Sequence, residues 1–321
     1  SIPDGVSPTA TFPVGVHVVT LTVTDDDGAS DSDTVRITIN PPGQGGDGRV
    51  GDGLVAFYSF EEGAGATVYD VSGFGTPLNL TISDQSRTTW LTGGGLAVNG
   101  ATLIASDQTA GKIVNACRTS DALTVEAWIK PANVTQDGPA RVVTLSQDPY
   151  ARNFTLGQGR WGTQPSDVFD VRLRTTSTDN NGTPSVTTPT GTVTTQLMHV
   201  AYTRGANGSA IVYVDGVPVE SDTVSGTLDN WDAGYRLALA GELDNTRNWL
   251  GELHLVAIYC QALNQTQVLQ NFSAGAHPAP PTNQPPTANA GSDQTVTDAD
   301  NSGAELVTLN AAASADADGT I

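Results

Sequence analysis

Between Asn248 and Leu263 the chain reads Asn-Trp-Leu-Gly-Glu-Leu-His-Leu-Val-Ala-Ile-Tyr-Cys-Gln-Ala-Leu, and this stretch constrains the fold most tightly. Leu253, Leu255, Ala257 and Tyr259 fall on one side of a period-two alternation. Glu252, His254, Val256 and Ile258 fall on the other, polar first and apolar later. Side chains of a strand alternate between faces, so the pattern predicts an inner strand, wet where it starts and buried on both faces where it ends.

Thirty-five glycines and eighteen prolines, with helical periodicity almost absent, suit many short strands joined by tight turns. The fold class is therefore expected to be all-β. The net charge is −20 and the only lysines are Lys112 and Lys130. An acidic surface repels phosphate backbones and anionic lipids, so nucleic acid is not an expected partner. No apolar run approaches the roughly 18 residues that cross a bilayer, so membrane insertion is not expected either. The chain opens at Ser1 rather than Met, as a processed product or a segment of something longer would. Cys117 and Cys260 are its only cysteines and neither sits in a C-x-x-C pair, which argues against a zinc or redox motif. They form either one disulfide, tying the segment before the Ala122–Lys130 strand to the end of the closing strand, or two buried thiols.

Two alternating stretches, Thr11–Thr24 and Ala29–Asn40, flank Asp25-Asp26-Asp27-Gly28, a strong hairpin signal. Residues 1–42 resemble the C-terminal half of a PKD domain, an immunoglobulin-like β-sandwich. Residues 287–321 resemble its N-terminal half, through Ala288-Asn289-Ala290-Gly291-Ser292-Asp293, the strand Glu305–Asn310 and the turn Ser314-Ala315-Asp316-Ala317-Asp318-Gly319-Thr320-Ile321. Set tail to head, the two halves nearly rebuild one domain. The resemblance implies one unit of a secreted or cell-surface array, a structural or adhesive repeat assembling head to tail into a fibre or matrix. Its partners would be other copies of itself or neighbouring modules of a longer chain. Residues 43–51 form a Gly-rich linker and 275–286 a Pro-rich one. Gly43, Gly45 and Gly48 formally match a dinucleotide fingerprint, but the stretch opens no helix.

The central segment, residues 52–274, resembles jelly-roll modules of the laminin-G-like, concanavalin type. The matching pieces are Leu54–Gly63, the turn Val68-Tyr69-Asp70-Val71-Ser72-Gly73, the strand Ala122–Pro131 and the pair Met198–Arg204 with Gly208–Val219. In Ala122–Pro131, Thr124, Glu126 and Trp128 are expected on one face. Asp215-Gly216 reads as a hairpin turn. The closing strand of the family is followed by a helical turn, here Asn264–Leu269. The resemblance implies a two-sheet sandwich with one well-buried core.

No catalytic residues are identified. Glycoside hydrolysis needs two carboxylates flanking the sugar bond. The only Glu-x-Asp matches, Glu220-Ser221-Asp222 and Glu242-Leu243-Asp244, lack a third acid and read as loops. His17, His199, His254 and His277 are scattered without acid partners at recognisable spacing, and no nucleophile elbow is present. The expected activity is binding rather than catalysis.

For binding, calcium as a structural ion is one expectation, since it takes six to eight oxygens from carboxylate-rich turns. By resemblance to PKD domains, Asp316 and Asp318 with Asn289 and Asp293 would form one site. Asp70 matches a position where related jelly rolls hold a calcium; the Ile-Asp-Glu-Val stretch that family carries in its last strand is here Leu253-His254-Leu255-Val256, without its acid pair. Carbohydrate is the other expectation. Sugars stack on exposed aromatics, and Trp161, Trp231 and Tyr150 lie in loop-like, Asp/Gly/Pro-rich surroundings, whereas Trp90, Trp128 and Trp249 read as core or edge packing. The alternative to the fibre is accordingly a carbohydrate-binding module of a larger secreted polysaccharide-active enzyme.

Overall fold

The computed structural model describes residues 15–24, 30–39, 48–162 and 165–277. Gly15–Thr24 (β1) and Ser30–Ile39 (β2) form an antiparallel hairpin, with Gly15 opposite Ile39 and Thr24 opposite Ser30. This is the hairpin predicted around Asp25–Gly28. The resemblance of residues 287–321 to half a sandwich lies outside the described residues.

The remaining strands make two eight-stranded sheets. The first runs, in spatial order, through Val186–Thr187 (β13), Phe169–Leu173 (β12), Ala151–Gln158 (β11), Ala140–Asp148 (β10), Arg236–Leu239 (β17), Ile104–Ser106 (β8), Leu80–Ile82 (β5) and Thr67–Val68 (β4). The second runs through Val217–Thr223 (β16), Ser209–Val214 (β15), Met198–Arg204 (β14), Leu123–Pro131 (β9), Gly251–Tyr259 (β18), Leu96–Val98 (β7) and Thr88–Trp90 (β6), with Leu54–Tyr58 (β3) also on β18. The architecture is the expected all-β, two-sheet sandwich.

Strand β18 is central. It pairs with β9 along one edge and with β7 and then β3 along the other. One detail departs from strict alternation. The register slips between Leu253 and Leu255, which face Ile129 and Trp128 in succession. A bulge at His254 therefore puts Leu253 into the inter-sheet core with Val256 and Ile258. Leu255, Ala257 and Tyr259 lie on the outer face instead.

That outer face is covered by a helix, Gln265–Ala274 (α2). Asn264 caps it: its side chain accepts from the Gln267 amide while Gln267 Oε1 accepts from the Asn264 amide, a reciprocal capping box. Phe272 stacks on Trp128 at 5.5 Å. Beneath the helix Glu126 is fully buried, accepting from Arg49 Nη1 at 2.6 Å and Asn271 Nδ2 at 2.5 Å, with His199 Nε2 at 3.2 Å. Those hydrogen bonds and charges outweigh burial and hold the Glu126 carboxyl below its ordinary pKa.

A second helix, Gly111–Ser120 (α1), buries Ile113, Val114 and Cys117 on one face against the core. Its Cys117 is disulfide-bonded to Cys260, with Cα atoms 4.4 Å apart. This resolves the two alternatives left open by the sequence. The start and end of the packed body also meet. The Val50 amide donates to Asn271 Oδ1 at 2.8 Å and Gln270 Nε2 to the Gly48 carbonyl at 2.9 Å. Val50 and Ala276, from the stretches read as linkers, share one apolar cluster.

Candidate functional site

In the first sheet, Phe154, Leu156, Phe169, Val171 and Leu173 face the inter-sheet core. Period two sends Thr155, Asp170 and Arg172 to the opposite face. There Thr144 and Thr155 hydroxyls meet at 2.6 Å and Arg152 Nη1 donates to Thr155 Oγ1 at 3.2 Å. Arg152 Nη2 donates to the Pro149 carbonyl. Arg141 Nε donates to Glu242 Oε2 at 3.1 Å, and Ser146 donates to the other oxygen of that carboxylate. Arg172 Nε donates to Asp170 Oδ2 at 2.9 Å, while Ser185 and Thr187 hydroxyls hold Asp170 Oδ1 at 2.7 and 2.9 Å. Arg141, Arg152, Asp170 and Glu242 are all buried. Burial, together with the positive charge of Arg141 and Arg172 and against the pull of Glu242, brings the Arg152 guanidinium down to about 9.

Loops at one end of this face make a cleft of about 320 Å³. Tyr150 comes from the tight turn between β10 and β11, fixed by Asp148, whose carboxylate accepts the Tyr150 and Ala151 amides at 2.7 and 2.9 Å. Trp161 comes from the loop after β11. Asn181 and Thr183 come from the loop before β13, and Arg247 from the loop before β18. Arg247 has φ +54°, a left-handed turn conformation. Its guanidinium carbon lies 3.7 Å over the Trp161 ring centroid. Trp161 is 58% exposed and Tyr150 74% exposed. Pro139, Arg141, Pro149 and Arg172 complete the lining. A second cleft of about 430 Å³ adjoins it through Pro149, Tyr150 and Arg247 and carries Asp137 and Asp244. The arrangement offers two exposed aromatic surfaces beside guanidinium, amide and hydroxyl donors.

Of the three aromatics singled out in the sequence, Trp161 and Tyr150 thus come together. Trp231 does not: it is only 3% exposed, packs 5.8 Å from Phe154 and donates Nε1 to the Arg174 carbonyl at 2.7 Å. Its expected place as a sugar platform is corrected to a core position, because a polar loop can fold its one large apolar side chain inward. Asp70 is likewise held by protein donors. Its carboxylate accepts from the Phe57, Ser72 and Leu78 amides and from Lys112 Nζ. An ammonium fills the cation's position there and no second carboxylate is part of the set, so these residues do not fit calcium. Among the described residues no three His, Cys, Asp or Glu side chains are grouped to hold a metal. Asn289, Asp293, Asp316 and Asp318 lie outside the described residues.

The sequence reading missed two groupings. The arginines at 141, 152, 172 and 247 come from separate strands and loops, so no local spacing announces them. His254 and His277 form a pair, Nδ1 to Nε2 at 3.1 Å. His254 Nε2 lies 3.1 Å from Glu252 Oε2, and His277 Nδ1 lies 2.8 Å from Glu61 Oε1. Glu252-x-His254 was the only local signal for that chain of contacts.

Residues 104–269 match the family model described as the concanavalin A-like lectin/glucanases superfamily. No curated protein matches the chain. Among solved structures, the chain is similar to the binding domain of botulinum neurotoxin serotype D/C (TM-score 0.50, 11% identity, 70% of this chain and 52% of that one). A structure of botulinum neurotoxin type C, whose cell entry depends on interaction with two ganglioside molecules, is similar to the same degree (TM-score 0.50, 11% identity, 70% and 52%). So is Trypanosoma rangeli sialidase in complex with sialic acid (TM-score 0.50, 16% identity, 70% and 34%). The chain spans about half the length of the neurotoxin structures and about a third of the sialidase.

Proposed function

We propose that this chain, which belongs to the concanavalin A-like lectin/glucanases superfamily, is a carbohydrate-binding module, and that its site is the cleft between Tyr150 and Trp161. The observation that carries the reading is the convergence of two exposed aromatic rings, from separate loops, on one cleft lined with polar donors. Exposed aromatic rings offer apolar faces to the C–H surfaces of sugars, and neighbouring donors select hydroxyls. The superfamily assignment and the ganglioside- and sialic-acid-associated proteins of similar fold lend support at the level of fold. The head-to-tail fibre favoured by the sequence ranks second. The end segments on which it depends lie, apart from the β1–β2 hairpin, outside the described residues.

The module is read as non-catalytic. The buried carboxylates Glu126, Asp170 and Glu242 are each ion-paired to an arginine, which suits structure better than proton transfer. Secretion to an oxidising compartment fits the Cys117–Cys260 bond. Among the described residues no helix is long and apolar enough to cross a membrane.

The test is a glycan array probed with the full chain and with Trp161→Ala and Tyr150→Ala. Binding by the parent, weakened at least about tenfold in each variant at unchanged melting temperature, is the expected result. Equal binding by all three proteins would remove the cleft from consideration.

A further inference from the structure

The cleft has an imbalance of charge that the aromatic pair does not account for. The chain as a whole carries 34 acidic and 14 basic side chains. Yet among the described residues the Tyr150–Trp161 cleft is lined by Arg141, Arg172 and Arg247 and by no carboxylate. Arg152, fully buried, adds a fourth guanidinium in the layer behind, close enough for Arg141 and Arg172 to perturb its charge.

Two carboxylates are ion-paired to these four cations, and a third, Asp179, lies near enough to Arg172 to feel its charge without pairing with it. Glu242 takes Arg141 through Nε, and Asp170 takes Arg172 through Nε. Among the described residues, neither Arg152 nor Arg247 has a carboxylate within ion-pair distance, and the Nε of Arg152 is buried without a hydrogen-bond partner. The Nη1 and Nη2 of Arg172 make no hydrogen bond to described residues, and among those residues the Arg247 side chain is held by the Trp161 ring alone, its carbonyl accepting from the Arg141 amide at 2.9 Å. Asp137 and Asp244 belong to the adjoining cleft and bound the positive stretch on that side. Burying guanidiniums in excess of their counter-charges is costly unless a ligand supplies the missing anion.

Resting on the carbohydrate reading of the same cleft, we infer that the ligand is an acidic saccharide, its carboxylate or sulfate received by Arg172 and Arg247 while a ring lies against Tyr150 or Trp161. A guanidinium fork matches either group, since both present two coplanar or near-coplanar oxygens. A neutral sugar would leave the excess cations unanswered.

The experiment is calorimetry with the full chain against three probes: oligogalacturonate for the carboxylate, a carrageenan oligosaccharide for the sulfate, and cello-oligosaccharide as the neutral control. The same titrations are run on Arg247→Gln, Arg172→Gln and Trp161→Ala, each checked by thermal melting. Arg247→Gln decides the case if Arg172→Gln fails to fold, because the Arg247 side chain makes no hydrogen bond to described residues. Expected are binding of at least one acidic probe, weaker with added salt, and a loss of about tenfold or more in the arginine variants. Which acidic probe binds distinguishes carboxylate from sulfate. If the neutral probe binds as well as the acidic ones, and only Trp161→Ala weakens it, the acidic ligand is overturned and the carbohydrate site stands. If none of the three probes binds, the inference falls; a glycan array then tests the carbohydrate reading separately.

Discussion

His254 Nδ1 and His277 Nε2 lie 3.1 Å apart, and each ring leans on its own glutamate, Glu252 at 3.1 Å and Glu61 at 2.8 Å. The pair fastens the last described residue of the body to the bulged start of the central strand.

Acid should loosen this fastening. Burial of His254, helped by the nearby charge of His277 and Lys130 and opposed by Glu252, lowers its pKa from 6.5. The unfolded chain then binds the proton more readily, so the contribution of His254 to stability is complete above about pH 6.5 and fades as pH falls through its folded value. The melting temperature should drop between pH 7 and pH 5.5, and the drop should be smaller in His254→Gln. An identical profile in that variant would rule out His254 as its source. Glu252 titrates later, because hydrogen bonds from Lys130 and His254 outweigh burial and keep its carboxyl below 4.5.

The buried pair beneath α2 should be among the most sensitive positions. Glu126→Ala leaves Arg49, 3% exposed, without the carboxylate 2.6 Å away. A loss of about 3–5 kcal/mol is expected in urea unfolding. A change under about 1 kcal/mol would mean water replaces the carboxylate.

Loss of the disulfide should be felt across the whole body. Cys117 and Cys260 are 143 positions apart, so the bond closes a very long loop. The double variant Cys117→Ala/Cys260→Ala is expected to lose about 2–5 kcal/mol. Reduction of the parent should give a comparable shift.

A close approach predicts a further weak point. A Cβ at Gly138 would sit 2.3 Å from the Gly159 carbonyl carbon. Gly138→Ala must therefore displace the loop that carries Trp161, lowering both melting temperature and glycan affinity. Gly191→Ala, whose added Cβ meets nothing within 4 Å although its φ is +83°, should leave affinity unchanged.

The fold was largely legible because its signals are local. Alternation marked β18, the resemblance to laminin-G-like modules marked β9, β14 and β15, and Thr124, Glu126 and Trp128 do share a face apart from the inter-sheet core. What escaped depends on long-range placement. The bulge at His254 re-sorts Leu253 without leaving a mark in the hydrophobic pattern. Trp231 has the neighbours of a surface residue, yet its indole finds both an apolar wall and an acceptor inside. Trp161 and Tyr150 were visible as exposed aromatics, but the arginines around them converge from strands and loops as far apart in the chain as Arg141 and Arg247. Whether Cys117 and Cys260 were joined was a question of distance, and sequence spacing does not encode distance.

Gly48 and Val50 are bonded directly to Gln270 and Asn271, so the way in and the way out of the jelly roll are neighbours. A tug applied at residues 48 and 277 would strain that narrow seam first and spare the stacked sheets. A host polypeptide can therefore carry the jelly roll as a side-loop, gaining little length and transmitting tension past the Tyr150–Trp161 cleft rather than through it.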